Sequence, residues 1–74
     1  MSKVLDTKGL NCPLPVLKAR KALADVPVGE CLIVHATDPA SSIDFRHFCN
    51  VSGHELVDAS EGDGVFTYVI RRTR

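Results

Sequence analysis

The tetrapeptide Cys12-Pro13-Leu14-Pro15 restricts this chain more than any other stretch of it. Two prolines so close together cannot lie inside a helix or a central strand. They fit at a helix start, where the first N–H groups have no intrahelical partner anyway. A residue before proline is pushed toward extended geometry, which is also the geometry of an N-cap. The sequence therefore predicts Cys12 as the cap, Pro13 in the first helical position and Pro15 in the third. Val16, Ala19 and Leu23, joined by Leu17 and Ala24, then recur at helical spacing to about Asp25, with Lys18, Arg20, Lys21 and Asp25 mostly between them.

Around this helix the other elements are set off by turn residues. Lys3 to Lys8 reads as a first strand, with Val4 and Leu5 among its apolar residues and Gly9 after it. Pro27 and Gly29 end the helix. Glu30 to Thr37 is β-rich, with Leu32, Val34 and Ala36 on one side and Cys31, Ile33 and His35 on the other. Asp38 followed by Pro39 predicts a capped second helix running to about Ser52. Phe45, Phe48, Cys49 and Ser52 lie near one stripe of it, and Gly53 supplies a left-handed stop. The stretches 54–60 and 64–72 read as a hairpin around Glu61 to Gly64.

The order βαβαββ predicts an α+β fold, a two-layer α/β sandwich with one four-stranded mixed sheet and two helices on one face. The helices should shield Leu32, Val34, Phe66, Tyr68 and Ile70. The opposite face would carry Ile33, His35, Val65, Thr67 and Val69, a patch that a partner or a second copy could cover.

With 74 residues the chain is expected to be a single domain, residues 1–74, too small for a deep enclosed site. Nine acidic and nine basic residues balance, so net charge does not point to nucleic acid or a membrane surface. The cluster Arg71, Arg72 and Arg74 reads as a solubilising tail. The polar start MSKVLDTK is unlike a signal peptide and no apolar run is long enough to span a bilayer, so a cytoplasmic location is expected. Cys12, Cys31 and Cys49 are odd in number and widely spaced, which suggests neither a disulfide framework nor a zinc site. The dispersed His35, His47 and His54 suggest no metal site either. Cys31 and Cys49 read as packing residues. Asp38 is first a helix cap and Asp44 first a solvated helix residue, and either could ring a docking surface.

Cys12 is different. Ser, Thr, Asp or Asn would cap a helix better, so capping alone does not explain a thiol there. The positive end of the helix, with the Leu14 N–H directed at the sulfur, is expected to lower the thiol pKa and favour the reactive thiolate. The prolines also remove two of the amides that would cradle a phosphate.

The segments GLNCPLPVLKARKAL, GECLIVHATDPASSIDF, FCNVSGHEL and YVIRR together resemble the TusA/SirA-type small sulfur-carrier family across nearly the whole chain. Cys12, Pro13, Leu14 and Pro15 match its Cys-Pro-X-Pro signature. The resemblance implies the same βαβαββ sandwich and a Cys12 that carries sulfur as a covalent persulfide, with no other cofactor. It implies a cysteine desulfurase or a rhodanese as donor and a DsrE-like or other sulfur-acceptor protein as recipient. Wobble-uridine thiolation of tRNA, sulfur oxidation and molybdenum-cofactor supply are the pathways served in the family. The role would be that of a sulfurtransferase-type carrier without multi-turnover activity of its own, expected as a monomer that binds neither nucleic acid nor membrane. A family member of the tRNA-thiolation pathway has an acidic residue where this chain has Leu14. Leu14 and Leu10, with Lys18, Asp38 and Asp44, are the expected docking residues around the cysteine, and the leucine favours an apolar contact. Two other functions are open to such a sequence: a small RNA-binding or regulatory domain, and a redox sensor in which Cys12 is oxidised.

Overall fold

A computed structural model describes residues 3–74. The elements follow the expected order: β1 (Lys3–Thr7), α1 (Leu14–Leu23), β2 (Cys31–Ala36), α2 (Ser41–Ser52), β3 (Glu55–Gly62) and β4 (Val65–Arg71). They form one sheet in the order β1-β2-β4-β3. β1 and β2 are parallel, with α1 as their crossover, and β4 is antiparallel to both of its neighbours. The fold is the α+β two-layer sandwich.

The alternation along β2 sets the two faces. Leu32, Val34 and Ala36 are fully buried beneath the helices, while Cys31, Ile33 and His35 are half-buried on the other side. Tyr68 and Ile70 continue the inner face on β4, and Phe66 is partly buried at its margin. Phe45 of α2 stacks on Tyr68 with ring centroids 4.7 Å apart. The Tyr68 hydroxyl lies 2.7 Å from the Ser41 hydroxyl, so the one polar tip that the ring carries into the core is paired there.

On the outer face Ile33 stands between Val4 and Val69, and His35 hydrogen-bonds Thr67 at 3.1 Å. The apolar part of this face is narrower than the sequence suggests, because His35 and Thr67 satisfy each other beside it. At the hairpin, Glu61 and Gly62 belong to β3. The turn is made by Asp63 and Gly64 alone, both at positive φ, the two-residue geometry that matches strand twist.

Both helices start later than the sequence predicts. In α1, Pro13 is the N-cap, so Pro15 takes the second helical position and Cys12 stands one residue before the cap. The buried stripe of α1 is Pro15, Ala19, Ala22 and Leu23, continued by Val26, and not the stripe through Leu17 and Ala24, which are exposed. Pro15, lacking a donor, is well suited to burial there. In α2 the helix begins at Ser41, but Asp38 still does a cap's work: its Oδ1 accepts the Ala40 N–H at 3.1 Å. Gly53, with φ 85°, ends α2 as expected, its N–H donating to Cys49 O.

The arginines after β4 are not a loose tail. Arg72 donates from Nη1 to the carbonyls of Ala24 and Val26 at 3.1 and 2.8 Å, just beyond the end of α1. Arg74 donates from Nε and Nη2 to Ser52 O at 3.1 and 2.7 Å, at the end of α2. Cationic groups are favoured at helix C-termini, where the last carbonyls lack intrahelical partners. Arg71 faces Glu55 across the hairpin at 3.7 Å. The charges read as solubilising are therefore largely used to stopper the helices.

Candidate functional site

Cys12 is placed by two loops that meet above the sheet. Gly9, at φ 83°, turns the chain back after β1, and its N–H donates to Thr37 Oγ1 at 2.9 Å. The Leu10 N–H donates to Thr7 O at 3.2 Å. The Cys12 N–H donates to Asp38 Oδ2 at 2.7 Å. Asp38 thus accepts from Cys12 with one oxygen and from Ala40 with the other, tying the cysteine loop to the start of α2. The side chain of Cys12 is exposed, in contrast to half-buried Cys31 and buried Cys49.

Cys12 lines an open groove of about 410 Å³ between the two helices. From α1 and its cap come Pro13, Val16 and Arg20; from α2 come Asp44, His47, Phe48 and Val51. Each set follows helical spacing, so the groove is the seam left where the outer flanks of the two helices diverge. Its walls are chiefly apolar, with Asp44 close to the sulfur.

The electrostatics at the thiol reverse the sequence expectation. The Leu14 N–H donates to Asn11 O at 2.9 Å and is not directed at the sulfur. The Asp44 carboxylate instead shares the groove with the Cys12 thiol. Its hydrogen-bonding capacity, slight desolvation and the negative charges of Asp44 and Asp38 all raise the thiol pKa above the ordinary value. A helix end offers about half a positive charge. Here it is outweighed by the two nearby carboxylates, which disfavour the thiolate. Cys49 is also raised, by burial alone.

The family described as Sulfurtransferase TusA matches residues 3–72. The chain belongs to the TusA/SirA-like family of sulfur carriers. A Neisseria meningitidis serogroup A protein, described provisionally as a sulfur carrier, is 54% identical over 70 residues, covering 95% of each chain. The sulfur carrier protein TusA of Allochromatium vinosum is 45% identical over 69 residues, 93% of this chain and 91% of its own. Among solved structures, a SirA-like protein from Desulfitobacterium hafniense superposes with a TM-score of 0.84 at 28% identity, covering all of both chains.

Within this TusA-type fold the structure sorts the sequence candidates. Asp44 lines the groove beside Cys12, and Pro13 forms its rim. Leu14 is exposed at 45%, next to the cysteine but outside the groove, and Pro15 is buried beneath it. Leu10 is half-buried and Lys18 is exposed, and neither reaches the groove. Asp38 is a scaffold residue whose carboxylate is engaged by two amides. Arg20, His47, Phe48 and Val51 were not among the sequence candidates. The signal for the α2 residues was present: Asp44, Phe48 and Val51 run at i, i+4 and i+7, one flank away from the buried Ser41, Phe45 and Cys49. What it lacked was α1 on the facing side.

Among the described residues no group of His, Cys, Asp and Glu could hold a metal ion, and no helix is long and apolar enough to cross a membrane.

Proposed function

We propose that Cys12 is the sulfur-bearing residue of this carrier: it accepts sulfane sulfur from a partner's persulfide, holds it as its own persulfide and surrenders it to a partner's cysteine. The observation that carries this reading is the position of Cys12, exposed on the wall of a chiefly apolar groove with its backbone N–H fixed by Asp38. An open groove suits a protein that meets its substrate on another protein's surface, where transient contact serves better than an enclosing pocket. A cysteine desulfurase or a rhodanese is the proposed donor, and a DsrE-like or other sulfur-handling protein the proposed acceptor. Exposed Leu14 favours an apolar docking contact, which leans the pathway away from the tRNA-thiolation branch and toward sulfur oxidation or molybdenum-cofactor supply.

The other readings lose support. Arg72 and Arg74 are bonded to backbone carbonyls, which leaves little of the basic cluster to track a phosphate backbone. A thiol whose thiolate is disfavoured by neighbouring carboxylates is a poor peroxide sensor, because oxidation follows thiolate character.

Incubation with a cysteine desulfurase and cysteine, followed by intact mass measurement, tests the reading. The wild-type protein gains the mass of one sulfur atom and the Cys12→Ser protein gains none. Sulfur retained by Cys12→Ser would overturn the assignment.

A further inference from the structure

A carrier thiol has a problem that its environment must solve. Its sulfur must become nucleophilic at the moment a persulfide arrives, yet the carboxylates of Asp44, which shares its groove, and Asp38, which accepts its N–H, disfavour the thiolate. Of these two acids, Asp38 has both oxygens engaged by amides, Cys12 N–H on Oδ2 and Ala40 N–H on Oδ1. Asp44, in the first turn of α2, faces the thiol itself and lines the same groove.

Resting on the carrier reading above, we propose that the Asp44 carboxylate is the proton relay of sulfur transfer at Cys12, taking the thiol proton as the sulfur attacks and returning it to the leaving sulfur. The Cys12 S–H bond breaks, and its electron pair forms a new S–S bond to the terminal sulfur of the incoming persulfide. The old S–S bond of the donor breaks with its electron pair on the donor sulfur, and the proton on Asp44 converts that thiolate to a thiol. One thiol and one persulfide enter, one thiol and one persulfide leave, and no oxidant or reductant is consumed. Release to an acceptor cysteine is the same step with the roles exchanged. General acid–base catalysis at a positioned group is worth about 10²–10⁴-fold.

The charged and titratable groups around this exchange are few. Asp38, in the loop before α2, accepts the Cys12 N–H and adds negative charge near the thiol, while Arg20 lines the groove from α1 and His47 from α2. Asp44 is the carboxylate that lines the groove together with Cys12 and has no amide engaging it among the hydrogen bonds of the described residues.

Two measurements on wild type, Asp44→Asn and Asp44→Glu test the proposal: the pH profile of Cys12 alkylation by iodoacetamide, and the rate of sulfur uptake from glutathione persulfide near neutral pH, read by intact mass. Alkylation follows the thiolate population and releases iodide, which needs no proton. In Asp44→Asn the alkylation profile moves to lower pH, while sulfur uptake falls about tenfold or more. Asp44→Glu restores part of the uptake. The opposite movement of the two rates is the signature, since a merely loosened groove would shift both the same way. Uptake by Asp44→Asn that is unchanged, or that rises in step with alkylation, overturns the relay and leaves the carrier reading intact. A wild-type protein that takes up no sulfur overturns the carrier reading itself.

Discussion

Cys12 and Cys49 are both less acidic than an ordinary thiol, and for unlike reasons. Cys12 is exposed and its pKa is raised chiefly by neighbouring carboxylates, whereas Cys49 is 6% exposed and is raised by burial. The first cause is local and can be reversed by moving a single proton acceptor. The second can be undone only by opening the core. A thiol meant to exchange sulfur has to be of the first kind, and the contrast teaches that the direction of a pKa shift says less about reactivity than its source does.

Alkylation of the native protein should separate the two most widely. Cys12 reacts directly, while Cys49 waits for opening, which limits it to the small unfolded fraction and makes it on the order of 10³-fold or more slower. Site-resolved mass spectrometry reads this, and comparable rates would break the contrast. Removing a helix stopper should sharpen it. Arg74→Ala deletes two hydrogen bonds to Ser52 O at the end of the helix that bears Cys49, at a cost of about 0.5–1.5 kcal/mol. Denaturant unfolding measures that loss, and Cys49 labelling should speed up by roughly 2–10-fold while Cys12 labelling stays as it was.

The smallest effect concerns pH. Because burial raises Cys49 in the folded protein, its unfolded form loses the proton first. Stability from the neutral thiol is present below the unfolded value of about 8.5 and declines as pH rises from there toward the folded value. Cys49→Ala should flatten part of the alkaline slope of stability measured between neutral pH and pH about 10, and an unchanged slope would count against burial as the cause.

The fold was largely legible because its signals are local. The alternation of Leu32, Val34 and Ala36 fixes the inner face of β2, and Gly53 stops α2 where a left-handed residue is needed. The candidate site was legible only in part, because its electrostatics are not local. Asp38 lies 26 residues from Cys12 in sequence, and nothing in the Cys-Pro-Leu-Pro run reveals that two carboxylates will face the thiol. The same limit hid the groove, whose walls come from two helices separated in sequence by β2. It also hid the role of Arg72, which reaches back 48 residues to Ala24. Among the local errors was the register of the α1 cap. The Leu14 N–H closes a turn onto Asn11 O, which sets the helix one residue later than the prolines alone imply.

The strand order has a consequence for synthesis. β4 is the fourth strand to leave the ribosome, yet it lies between β2 and β3 in the sheet. Until it emerges, β3 has no neighbour to pair with, and β2 offers one open side. At about 5–20 residues per second, translating the segment 37–64 that separates β2 from β4 takes seconds. Over that interval the nascent chain carries a βαβ half with an unclosed edge, which the insertion of β4 as a middle strand closes.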